Sequence, residues 1–77
     1  MKHGWEIAVK EALRPSADAD LFTVLSRRTS FHNAQIAVRW DGVSVVDAIR
    51  SAFVGKDREI ALQAVQSHKD ATVHGWY

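Results

Sequence analysis

The chain has 77 residues, a formal net charge of +1, 47% apolar residues and 25% charged residues. That is one ordinary globular domain, too short for two and too apolar for a disordered tail. It has no cysteine, which excludes disulfides, thiol catalysis, cysteine-type zinc sites and iron–sulfur clusters.

A helix is predicted over residues 3–13. Trp5, Ala8, Val9, Ala12 and Leu13 obey the i, i+3, i+4, i+7, i+8 spacing of one apolar face. Glu6 and Lys10 form a favourable i,i+4 pair outside that stripe, and Pro15 ends the segment by disfavouring helix at Arg14. A second helix is expected immediately after it. Ser16 is its expected N-cap, Asp18 and Asp20 sit in the positive first turn, and Leu21, Phe22, Val24 and Leu25 form its apolar side. Arg27 and Arg28 suit its C-terminal end, and Thr29-Ser30 is expected to close it.

Residues 33–40 carry two periodicities. Ile36, Val38 and Trp40 alternate as a strand would, with Asp41-Gly42 as the turn of a short hairpin over residues 35–46. Alternatively Asn33 caps a short helix with Ile36, Ala37 and Trp40 on one face. Residues 43–48 favour the helix. Ser44 with Asp47 reads as a capping box and Val43 against Ala48 as a hydrophobic staple, so the next helix begins at Val45 and leaves no useful return strand. Val45, Ile49, Ala52 and Phe53 continue it over residues 45–54, with Gly55 just beyond its end. A last helix starts near Asp57 on the stripe Ile60, Ala61, Ala64, Val65 and His68, and ends near Lys69-Asp70. Residues 71–77 are expected to be extended. The sum is an all-α, compact bundle of about five short helices in a single domain over residues 1–77. An α+β domain with one hairpin at 35–46 is the alternative.

Three constellations bear on function. Gln35-Ile36-Ala37, then Gly42-Val43-Ser44, resembles the words of a helix-turn-helix, where a small Ala lets two helices approach, Gly makes the turn and Ser caps the recognition helix. Ala37 and Gly42 stand one residue further apart than in that motif, and Asp41 occupies a place that should be apolar, so no family is assigned. In a DNA-binding reading Arg27, Arg28 and Arg39 would meet phosphates, and Arg50 and Ser51 would face the bases.

The second constellation is a carboxylate-free stretch. No Asp or Glu occurs from Leu21 to Trp40, while Arg27, Arg28, His32 and Arg39 lie there with Phe31 and Trp40. Arginine beside aromatics suits phosphates and stacked bases. It equally suits an acidic or apolar protein surface. The ordinary structural reading gives Arg27 and Arg28 to a helix C-terminus and Trp40 to the core.

The third is histidine: His3, His32, His68 and His74. No pair has the i,i+4 spacing of a helical zinc site. Met1-Lys2-His3 has the donors of a square-planar Cu(II) or Ni(II) site, but a helix starting there would compete for the same amides. No metal and no cofactor is therefore expected. His3-Gly4-Trp5 recurs as His74-Gly75-Trp76, which is read as coincidence.

Catalysis is not expected. The acidic residues are dispersed at helix starts, the serines sit at caps, and no phosphate loop or nucleophile elbow is present. No apolar run approaches a membrane span, and the N-terminal residues lack the apolar core of a signal peptide, so the expected location is the cytoplasm. What remains is a small, non-catalytic, intracellular protein-binding module. It would be a regulator or inhibitor acting by stoichiometric binding, of a size common among phage and mobile-element proteins. The expected partner-binding residues are Arg27, Arg28, Phe31, His32, Arg39, Trp40 and Tyr77. A homodimer is expected as the reinforcement so small a domain needs. The alternative is a helix-turn-helix transcriptional regulator that binds DNA.

Overall fold

The computed structural model describes residues 4–67. They form four helices: α1 (Gly4–Ala12), α2 (Leu21–Arg39), α3 (Val45–Ala52) and α4 (Gly55–Ser67). Among the described residues there is no strand. The chain is therefore all-α, as the periodicities predict. The hairpin alternative at 35–46 gives way to helix through Arg39 and a tight turn, in which the Val43 amide donates back to the Ala37 carbonyl at 3.1 Å. The expectations for His3, His68, His74, Trp76, Tyr77 and the extended segment 71–77 lie outside the described residues.

The two helices predicted either side of Thr29-Ser30 are one continuous α2 of 19 residues. Thr and Ser each cost a helix only about half a kcal/mol relative to Ala, and neither removes a backbone donor. No Pro or Gly stands between Pro15 and Gly42 to break it. The inward periodicity also runs straight through, with Ala34 buried and Val24, Arg27, Phe31 and Val38 half-buried on the same side.

The helix starts obey side-chain chemistry. Asp20, not Ser16, caps α2, its carboxylate accepting the Thr23 amide at 2.7 Å. Ser16 instead donates its hydroxyl to Asp18 at 2.8 Å, within the turn after Pro15. Ser44 caps α3 as expected, accepting the Asp47 amide at 3.2 Å. α3 ends at Ala52 with Phe53 as its C-cap, and Gly55, at φ +56°, opens α4 rather than trailing α3.

α3 packs against both α2 and α4, and α1 lies on α4. Val9, Ala34, Ile49, Ala61 and Val65 are fully buried, with Trp5, Val45, Ala48 and Phe53 nearly so. α1 reaches α2 through long side chains. The Trp5 ring lies 5.8 Å from the Phe31 ring, and the Lys10 ammonium sits 5.3 Å over the Phe31 centroid.

Candidate functional site

α2 is about 28 Å long at the α-helical rise per residue, and it is apolar on two opposite sides. The inner side, centred on Ala34, belongs to the core. The outer side exposes Leu21 (71%), Phe22 (80%), Leu25 (48%), Ile36 (38%) and, at the C-cap, Trp40 (82%). At helical geometry these five fall within a sector of about 100°. Ile7 and Val54 are the other large exposed apolar side chains described, and they lie on different elements. The five fall into two apolar clusters on one side of the helix, Leu21, Phe22 and Leu25 near its start and Ile36 and Trp40 near its end. Exposed Thr29 and His32 interrupt the stripe at its middle. Phe22, Leu25, Ser26 and Thr29 line a shallow groove on it.

The residues expected to bind a partner divide into two groups. Arg28, His32 and Trp40 are open to solvent. Trp40 is thus surface, not the core residue of the ordinary structural reading. Arg27 and Arg39 are engaged within the molecule. Arg27 Nε and Nη2 donate to the two carboxylate oxygens of Asp57 at 3.2 Å each, and Nη1 donates to the Leu13 carbonyl at 3.1 Å. One guanidinium thereby joins α2 to the start of α4 and closes the end of α1. Arg39 Nη2 donates to Glu6 Oε1 at 2.7 Å, and Gln35 Nε2 donates to the same oxygen at 2.7 Å. Glu6 is 8% exposed, so these donors compensate a carboxylate taken out of water. Phe31 is half-buried between α1 and α2, and Tyr77 lies outside the described residues.

Of the DNA-reading residues, Arg50 and Ser51 are exposed on α3, and the Ser51 hydroxyl donates to the Asp47 carbonyl at 3.0 Å.

Leu21, Phe22, Leu25 and Ile36 are not among the residues expected to bind. Their signal is present in the sequence, but local periodicity gives it to the core. Splitting α2 in two hides the fact that Val24, Phe31, Ala34 and Val38 already supply a complete inner stripe.

A separate cleft of about 220 Å³ lies where α1 meets α2, lined by Leu13, Pro15, Val24 and Phe31 with the cations Lys10, Arg27 and Arg28. Among the described residues no group of three or more His, Asp or Glu is placed to hold a metal ion, and no helix is long and apolar enough to cross a membrane. Comparison of the chain with protein-family models, curated proteins and solved structures returns no match.

Proposed function

We propose that the chain is a non-catalytic protein-binding module that associates stoichiometrically through the outer face of α2. The observation that supports this is the exposed row Leu21, Phe22, Leu25, Ile36 and Trp40 on one helix. Phe22 and Trp40 alone offer about 300 Å² of aromatic surface, worth about 7 kcal/mol gross before the costs of association. Arg28 and His32 beside the stripe suit a partner with carboxylates around an apolar patch. A small regulator or inhibitor that works by occupying its partner is the role this fits. Its cysteine-free composition suits a reducing cytoplasm.

The test uses the double variant Phe22→Ser/Trp40→Ser, which touches only exposed positions. It should keep the far-ultraviolet circular dichroism of the parent. Immobilised parent chain should retain a protein, including the chain itself, at stoichiometric ratio, and the variant should not. Equal retention by both would remove α2 from the reading.

A DNA-binding reading has one observation in its favour: α2 and α3 do meet in a tight turn, with Arg50 and Ser51 outward. Against it, Asp47 stands exposed in the first turn of α3, and Arg27 is tied to Asp57. Anisotropy with random duplex DNA at low and moderate salt separates the two readings. The protein-binding reading expects no salt-sensitive binding.

A further inference from the structure

Resting on that reading, we infer that the occupant of the α2 face is the α2 of a second copy, packed antiparallel about a two-fold axis level with Ser30 and Phe31. Positions 22, 25, 29, 32, 36 and 39 are all exposed, and they alternate by three and four residues, the spacing of a seam between two helices. Inside its ends that seam reads alike in both directions, Leu25 and Ile36 flanking Thr29 and His32, while Phe22 closes one end and Arg39, with Trp40 beside it at the C-cap, closes the other. An antiparallel copy sets Leu25 level with the second copy's Ile36. Phe22 comes beside its Trp40, and Thr29 beside its His32. The polar centre fixes the register, because sliding by a heptad would bury His32 against aliphatic side chains.

Charge selects the direction. α2 carries Arg27, Arg28 and Arg39 and no carboxylate. Parallel packing would stack Arg28 on Arg28 and Arg39 on Arg39. Antiparallel packing separates both pairs and opposes the helix dipoles. The five apolar side chains from each of two copies remove roughly 1,000 Å² from water, which is at the threshold for a specific interface and suits a reversible, concentration-dependent dimer.

The test is sedimentation of the full chain across micromolar concentrations. The parent should run at twice the mass of one chain. Leu25→Glu and Ile36→Lys should each run as monomers with unchanged circular dichroism, since both positions lie on the exposed stripe. Mixing those two variants should restore the dimer, because antiparallel packing sets the substituted positions opposite one another. Restoration by Leu25→Glu with Leu25→Lys instead would overturn the antiparallel arrangement. A parent that stays monomeric at every concentration, or a dimer indifferent to both substitutions, would overturn the inference. A monomeric parent that still retains another protein through Phe22 and Trp40 would leave the protein-binding reading standing alone.

Discussion

Asp20 holds the first turn of α2 through the Thr23 amide, and that bond, with the Thr23 hydroxyl second, keeps its carboxyl below the ordinary aspartate value of 3.8. The folded state thus favours the ionised form, and the unfolded state binds the proton more readily. The contribution is complete above the unfolded value and is lost as pH falls through the folded one. Asp20→Asn can still cap, but without charge. Its melting temperature should lie below the parent's at neutral pH, and the gap should close below about pH 4. Thermal melts at several pH values measure this directly. Gly42 makes a separate residue-scale demand. It sits at φ +71° with open space where a Cβ would stand, so Gly42→Ala meets only the left-handed backbone penalty. Urea titration should show a loss of about 1–2 kcal/mol. Gly42 is legible in the sequence as turn punctuation. Asp20 reads there as a first-turn charge, whereas it is the cap itself, because Pro15 and the Ser16–Asp18 bond hold the chain in a turn for longer than the local pattern indicates.

The continuity of α2 distinguishes the structure from the local reading of its sequence. In a connector, proline at position 30 would be harmless. Inside a helix it deletes a bond and clashes with the preceding turn, so Ser30→Pro should cost about 3 kcal/mol or more in urea unfolding. Propensity alone does not reveal this, because Thr29 and Ser30 are tolerated by helix and loop alike. What joins the two halves is tertiary: Phe31 meets α1, and Arg27 meets α1 and α4. The Arg27–Asp57 pair is about three-quarters withdrawn from solvent. Arg27→Ala leaves both a carboxylate and the Leu13 carbonyl without this donor, which should cost about 2–3 kcal/mol. A double-mutant cycle with Asp57→Asn isolates the pairwise part. The sequence pattern puts Arg27 at a helix end facing a partner; it lies mid-helix and faces its own chain.

Over the whole molecule, the core is the most legible part. Trp5, Val9, Phe53, Ala61 and Val65 all lie on predicted stripes and all are buried. Periodicity reports burial well where a helix has one apolar face, as α1 and α3 do. It reports poorly on α2, where two faces compete for the same designation, and that is why the exposed stripe reads as core. The domain's reserve is small, about 4–11 kcal/mol for this length. Phe53→Ala, at about 3–5 kcal/mol, should therefore remove a large share of that reserve, read as a fall in the urea midpoint and in the melting temperature. If two copies associate through α2, the parent's melting temperature should also rise with protein concentration.

Being apolar on opposite sides leaves α2 with a choice that hydrophobicity does not make. Rolled by half a turn, it would present Leu25 and Ile36 to α3 and leave Phe31 and Val38 outside. The polar contacts break this degeneracy. Only the native roll brings Gln35 and Arg39 round to Glu6, and only that roll lets Arg27 find Asp57 and the Leu13 carbonyl. The misrolled helix would strand a buried carboxylate, at a cost of several kcal/mol. These contacts therefore act less as adhesive than as a key that removes frustration from the folding landscape. Glu6→Leu should still collapse to a helical globule, yet populate two packings in exchange. A doubled or broadened indole resonance from Trp5, which packs against Phe31 in the native roll alone, would report them.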